Sequence, residues 1–114
     1  MSLALCAFSP NDPLRFSMFC ALGLAHFIAG RYTQALAVAE AAARDRPEYV
    51  HPICIVAASA ALSGGLDEAN KAMVILRQLD PTLRISNLRR LQSIKRPEDL
   101  AKWEEGLRLA GLPE

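Results

Sequence analysis

The chain has 114 residues, of which 52% are hydrophobic and only 6% aromatic. This length suits a single domain. A core rich in Ala and Leu favours packed helices, because Ala is the best helix former and lets helix axes approach closely. The formal net charge of +1 excludes a global attraction to nucleic acid or to anionic membranes. The apolar stretches are too short to span a bilayer and no secretory signal is recognisable, so we expect a cytoplasmic protein.

Proline and glycine mark the boundaries of the first predicted helices. Residues 1–12 are predicted to be the tail of a truncated preceding helix. Asp12-Pro13 then supply an N-cap and a first-turn proline for a helix that ends near Gly30, since glycine tolerates the left-handed turn that closes a helix. The second helix is predicted over Tyr32 to Ala43, where apolar or small residues recur at helical spacing.

Two more helices are predicted before the third proline-marked boundary. One starts near Tyr49 to His51 and ends at Gly64-Gly65. The next covers Asp67 to Leu79, and its first two residues are acidic, which suits the positive end of a helix dipole.

The last part of the chain is also predicted to be helical. Thr82 to Leu91 has an apolar helical pattern, and Arg96 to Asp99 carries a second start signal, with a proline and two acids in the first turn. The final helix has apolar points at Leu100, Trp103, Leu107 and Ala110, and Gly111 ends it. Its other face is polar, so we expect an amphipathic capping helix.

Several residue types recur at one fixed interval, which is the interval from Pro13 to Pro47 and again from Pro47 to Pro81. The other pairs at this interval are Cys20 with Cys54, Gly30 with Gly64, and Ala35 with Ala69. A fixed period of about this length indicates a repeated helical unit. We therefore divide the single domain, 1–114, into a first repeat at 13–46, a second at 47–80 and a C-terminal helical cap at 81–114.

The two repeats resemble the tetratricopeptide (TPR) family, whose pattern is aromatic-x-x-Leu-Gly-x-x-Tyr, then Ala-x-x-x-Phe, then Pro. The first copy reads Phe19-x-x-Leu22-Gly23-x-x-His26, Ala35-x-x-x-Ala39 and Pro47, and the second reads Ile53-x-x-Val56-Ala57-x-x-Ala60, Ala69-x-x-x-Met73 and Pro81. The chain departs from the pattern at His26, Ala39 and Ala60. The resemblance implies an all-α fold of antiparallel helix pairs in a superhelix, with a concave groove lined by the first helix of each pair.

The resemblance also implies which residues line that partner-binding groove. They are Ser17, Cys20, Leu24 and Phe27 in the first repeat, and His51, Cys54, Ala58, Ala61 and Leu62 in the second. Chaperone-type TPR clamps grip a carboxylate with Lys, Arg and Asn at such positions, and none is present here. We therefore expect an apolar groove. Either an apolar segment fills it, from a protein partner, from a domain of the parent protein or from a second copy in a homodimer, or the C-terminal helix folds back over it.

A group of cysteines and histidines could carry other chemistry. A metal site could be built from Cys20, Cys54, His51 and His26. Zinc needs four ligands in tetrahedral geometry, however, and no carboxylate occurs at a matching spacing. We therefore interpret these residues as core or groove residues and expect no metal or cofactor. With Cys6 the cysteines are odd in number and lack C-x-x-C spacing, which fits a reducing compartment.

A basic run lies before the last helix. It comprises Arg84, Arg89, Arg90, Lys95 and Arg96, with no acid between Asp80 and Glu98. Such a run can contact phosphates. We favour a solvated face, or docking to an acidic partner, over nucleic acid.

No Gly-x-Gly-x-x-Gly, phosphate-binding loop or Gly-x-Ser-x-Gly motif occurs, so we predict no enzyme activity for this chain. The tail, Glu98 to Glu114, resembles the C-terminal end of TPR regions in bacterial signalling proteins, among them class III adenylate (nucleotidyl) cyclases. This resemblance implies a non-catalytic protein-protein interaction module within a larger signalling protein. The alternative is the TPR effector region of a transcription regulator, whose basic surface contacts nucleic acid or an acidic partner.

Overall fold

The computed structural model describes residues 13–90 and 94–114, with the side chains of residues 13, 89 and 90 excepted. The helices are α1 (Pro13–Ile28), α2 (Tyr32–Asp45), α3 (Val50–Leu62), α4 (Leu66–Leu79) and α5 (Pro97–Ala110), and a short 3₁₀ segment, Ile85–Arg90, precedes α5. No strand occurs among these residues, so the predicted all-α class is confirmed for them. The predicted tail of a preceding helix and the N-cap at Asp12 lie outside the described residues.

Glycines in the left-handed conformation end α1, α3 and α5. Gly30, Gly64 and Gly111 have φ values of +82°, +93° and +117°. After α1, the Arg31 N–H donates to the His26 carbonyl at 2.8 Å, and the Gly30 N–H donates to the Phe27 carbonyl at 3.0 Å. This pair of bonds is a Schellman motif, which satisfies carbonyls that a helix end otherwise leaves unpaired.

The same backbone geometry recurs one sequence period later. The residue before α2, Arg31, has φ −90° and ψ 72°, and the residue before α4, Gly65, has φ −90° and ψ 66°. The residues after these two helices, Arg46 and Asp80, have φ/ψ of −141°/81° and −144°/83°. The sequence period therefore corresponds to a period in backbone conformation.

Small side chains bring the helices together around α3. Helix α1 packs against α2, α3 packs against both α2 and α4, and α5 lies across α3. Ala35, Ala39 and Ala42 of α2 are fully buried, and so is Ala69 of α4. Because α3 is covered by neighbours on several sides, its residues from Pro52 to Ala61 are all buried. Within the described part of the chain, no helix is both long enough and apolar enough to cross a membrane.

The segment predicted as a helix over Thr82 to Leu91 is different in the structure. Only Ile85–Arg90 is helical, as a 3₁₀ segment with a kink at Asn87, and Leu91 lies outside the described residues. The Asn87 side chain accepts from the Arg84 N–H at 2.7 Å and donates to the Thr82 carbonyl at 2.9 Å. These local bonds compete with the α-helical pattern.

The end of the chain also takes up hydrogen-bonding groups of this segment. The Ile85 N–H donates to the Pro113 carbonyl at 2.9 Å, and the Ser86 N–H donates to a Glu114 oxygen at 3.2 Å. Since Leu83, Ile85 and Leu88 are buried, the predicted apolar points do reach the core. They do so from an irregular backbone rather than from one α-helix.

Candidate functional site

An open apolar groove of about 540 Å³ lies along α1, and we call it the α1 groove. Its lining comes from one face of α1 and from the start of α3: Phe16, Ser17, Cys20, Ala21, Leu24, Ala25, Ile28, Tyr49 and His51. The α1 residues follow the i, i+3, i+4 spacing of one helix face. No acidic residue is among the lining residues.

Two aromatic rings form one end of the α1 groove. The ring centroids of Phe16 and Tyr49 are 5.1 Å apart and the rings are tilted by 42°. Tyr49 is 45% exposed, so its ring is available to a partner. The Arg46 guanidinium lies 5.6 Å from the Phe16 centroid, which is within cation–π distance.

A lysine from the C-terminal helix contacts the C-terminal end of α1. Lys102 Nζ donates to the Ile28 carbonyl at 3.0 Å. The same ammonium lies 6.0 Å from the Phe27 ring centroid and 5.8 Å from that of Tyr32. A cation is favourable there because the last carbonyls of α1 carry the negative end of the helix dipole.

The structure brings together four of the predicted groove residues, Ser17, Cys20, Leu24 and His51. The other five predicted groove residues are not among those that line this groove. Phe27, Cys54 and Ala58 have no exposed surface, Ala61 retains 6%, and Leu62 packs partly buried against the core. Phe27, Cys54 and Ala58 therefore expose no surface to a groove, and Ala61 and Leu62 are not among the residues that line this one.

The C-terminal helix covers two of these residues, Phe27 and Ala58. Trp103 of α5 meets Phe27 edge to face, with the centroids 5.3 Å apart and the rings at 80°. A Cβ placed on Gly106 would lie 3.0 Å from the Ala58 carbonyl oxygen, so the two helices touch almost at backbone level. Of the two alternatives left open by the sequence, α5 folds back over α3, while the α1 groove stays open among the described residues.

Sequence reasoning missed the aromatic end of the groove. Tyr49 precedes α3, whereas the family pattern directs attention to positions inside the first helix of each pair. An exposed aromatic residue just before a helix start was the available signal, because such a ring can fold onto the preceding helix pair.

Burial raises the pKa of both described thiols, Cys20 and Cys54. Burial raises the pKa of Cys20 to about 11. Burial, followed by the charge of Asp80, raises the pKa of Cys54 to about 12. Both therefore remain protonated near neutral pH, whereas metal binding and nucleophilic attack require the thiolate. Among the described residues, no three His, Cys, Asp or Glu side chains form a group that could hold a metal ion.

Two arginines of the basic run, Arg84 and Arg96, bond within the chain. Arg84 is half-buried, and its guanidinium donates to the Pro81 and Leu83 carbonyls, both at 2.9 Å. Arg96 lies 2.9 Å from a Glu98 carboxylate oxygen, and this hydrogen bond raises the pKa of Arg96. Lys95 is exposed. The side chains of Arg89 and Arg90 lie outside the described part of the structure.

The described residues form an all-helical arrangement of packed helices with an open apolar groove along α1, a second one of about 710 Å³ between α2, α3 and α4, and α5 packed against α3. Comparison with known proteins found no matching family model, no similar curated protein and no similar solved structure.

Proposed function

We propose that this chain is a non-catalytic protein-protein interaction module of TPR type, and that the α1 groove binds an apolar segment of a partner. The observation that carries the proposal is the position of α5. The chain places an amphipathic helix of its own across α3, and leaves the neighbouring apolar face along α1 without such a cover among the described residues.

The recurring backbone geometry supports the TPR assignment. Gly30 and Gly64 stand one sequence period apart, and they close equivalent helices with the same pair of hydrogen bonds. In repeat proteins each unit buries its apolar face against a neighbour, and an apolar groove that is left open marks an interaction site.

On the resemblance of the tail alone, we further propose that the module belongs to a larger signalling protein of the cyclase type. The gene sequence upstream of residue 1 tests this directly, since it would have to encode a catalytic domain. The alternative, a transcription-regulator effector region with a basic contact surface, draws no support from Arg84 and Arg96, whose guanidinium groups already bond within the chain.

A photo-crosslinking amino acid at Ser17 tests the interaction function. Ser17 is exposed and lines the α1 groove, whereas Asn70 is exposed on α4 and serves as the matched control position. We expect discrete adducts with protein from position 17, abolished by an excess of unlabelled wild-type chain, and none of these from position 70. Identical adducts from both positions, or none from position 17, would contradict the proposal.

A further inference from the structure

We propose that the occupant of the α1 groove is the chain's own N-terminal segment, residues 1–8, and that a partner must displace it. The segment lies outside the described residues, so its place is inferred from the repeat, from the described face of α1 and from the sequence. The inference rests on the proposed function and adds a competitor for the same groove. Its basis is the contact that covers the corresponding face of α3.

The corresponding face of α3 is covered by the helix pair that precedes it. Ile55 and Ser59 lie one turn apart on α3, and both are fully buried. A Cβ placed on Gly23 would lie 3.5 Å from the Ile55 side chain and 3.7 Å from the Cβ of Ala39. Ile55 therefore packs where α1 and α2 meet, and α2 is the helix that directly precedes α3.

On α1 the same face is open among the described residues. One sequence period before Ile55 and Ser59 stand Ala21 and Ala25. Both alanines are exposed, and both line the α1 groove. The part of the chain that would cover them is the part that precedes α1 as α2 precedes α3. Residues 1–8 stand in that position.

The segment repeats the buried stripe of α2. The fully buried residues of α2 are Ala35, Ala39 and Ala42. Their counterparts one sequence period earlier are Met1, Leu5 and Phe8. All three counterparts are apolar and follow the i, i+4, i+7 spacing of one helix face. Leu3, by contrast, corresponds to Ala37, which is exposed on α2, so the period also sets which side of the segment meets α1.

The side chains at this contact exchange sizes between the two repeats. Where α2 meets α3, the small Ala39 and the large Ile55 both lie beside Gly23. One period earlier, the large residue is Leu5 and the small one is Ala21. Exchanges that conserve the combined volume are the ones that packed interiors tolerate best. Leu5 against Ala21 is therefore the central contact of the proposed docking.

Tethering favours this segment over a second copy or another protein. Residues 9–12 separate it from α1, and a connection of the same length, residues 46–49, joins α2 to α3. Connections of this length join antiparallel neighbouring helices, and Pro10 disfavours a helix that continues into α1. A short linker gives the segment an effective concentration of about millimolar order. An untethered occupant must therefore bind more tightly to take its place.

The short length of the segment makes its docking reversible. About two turns of helix are marginal in water by themselves, so the contact with α1 must supply the stability. Loss of the central leucine should therefore release the groove, and a partner that buries more apolar surface can displace the segment.

Photo-crosslinking from position 17 tests the docking in the full chain. Ser17 is exposed and lies one turn before Ala21, so the probe does not replace the central contact. The purified chain is irradiated at several dilutions, and the crosslinked peptides are identified by mass spectrometry. The variants are Leu5→Asp, at the central contact, and Leu3→Asp, the matched control in the same segment. Each is checked for folding by circular dichroism.

We expect an adduct within one chain between position 17 and residues 1–8, with a yield that does not change on dilution. Leu5→Asp should lower this yield about tenfold, the effect of losing one buried leucine. Leu3→Asp should leave it unchanged, because its counterpart on α2 faces solvent.

A stapled helical peptide with leucines at i, i+3, i+4 and i+7 serves as the competing probe, and its binding is measured by fluorescence anisotropy. Leu5→Asp should bind this peptide about tenfold more tightly than the wild-type chain does, because the competitor has left the groove. Leu3→Asp should bind it as the wild-type chain does.

Three outcomes would overturn the inference and leave the proposed function standing. They are the absence of an adduct to residues 1–8, equal effects of Leu3→Asp and Leu5→Asp, and an adduct that joins two chains and disappears on dilution, which would make a second copy the occupant. Failure of the proposed function gives a different result: the adduct within one chain and its dependence on Leu5 remain, but the peptide binds neither the wild-type chain nor Leu5→Asp.

Discussion

The same substitution should have opposite effects at two helical glycines, Gly23 in α1 and Gly106 in α5. At Gly23 an added Cβ would meet Ile55 at 3.5 Å and Ala39 at 3.7 Å, which is ordinary van der Waals contact. At Gly106 it would lie 3.0 Å from both the Cβ and the carbonyl oxygen of Ala58. Only the second contact requires the helices to separate.

The magnitudes follow from these distances. Replacing glycine by alanine inside a helix stabilises a protein by about 0.5–1 kcal/mol when the new methyl group fits, so Gly23→Ala should raise the free energy of unfolding by that amount. Gly106→Ala gains the same helix propensity but overpacks the α3–α5 contact, at a cost of about 1–3 kcal/mol. We expect a net loss of about 1 kcal/mol, and a difference of about 2 kcal/mol between the two variants.

Urea denaturation followed by circular dichroism measures both changes. Ala101 is exposed on α5, and Ala101→Gly calibrates helix propensity in the same helix without a packing change. That control should cost about 1 kcal/mol. If Gly106→Ala stabilises the protein as much as Gly23→Ala does, then α5 does not approach α3 closely, and the account of the covered groove is wrong.

Three further predictions concern Trp103, Cys54 and Lys102. The indole N–H of Trp103 is buried with no acceptor among the described residues. In urea denaturation, Trp103→Phe should therefore lower the free energy of unfolding by less than about 1 kcal/mol, whereas Trp103→Ala should lower it by about 3–5 kcal/mol. A Phe variant as unstable as the Ala variant would contradict this. The Cys54 pKa is raised from 9.0 to about 12 in the folded state, so the folded state holds the thiol proton more tightly than the unfolded state does. This contribution to stability is complete below pH 9 and is lost as the pH rises toward 12. The pH dependence of unfolding should therefore be flatter in Cys54→Ala, by up to about 1.4 kcal/mol per pH unit; identical slopes would refute this. Lys102→Met should lower stability by about 1 kcal/mol and speed hydrogen exchange at the C-terminal end of α1, whereas unchanged exchange would show that the Ile28 contact is not formed.

Local signals in the sequence predicted most helix boundaries. Gly30, Gly64 and Gly111 were each expected to end a helix, and each adopts positive φ. The predicted second helix was two residues short, since α2 continues to Asp45. The predicted helix over Thr82 to Leu91 was wrong, because its pattern of apolar residues does not reveal that the Asn87 side chain and the end of the chain take up backbone hydrogen-bonding groups.

The candidate site was predictable only in part. Ser17, Cys20 and Leu24 were expected in the groove because the resemblance to TPR repeats assigns the first helix of each pair to it, and all three are among the lining residues. Tyr49 could not be placed, since its position depends on how the start of α3 meets Phe16 across the helix pair.

The sequence by itself determined most of the helices, the glycines that end them and the period that relates Gly30 to Gly64, because these depend on backbone conformation and on residues a few positions apart. Only the tertiary structure decided which apolar face is covered and which is open. The stripe on α5 fits any apolar surface of suitable width, and it is the absence of a side chain at Gly106 facing the small Ala58 that lets it settle on α3. The equivalent place on α1 carries Leu24, and that face remains open among the described residues.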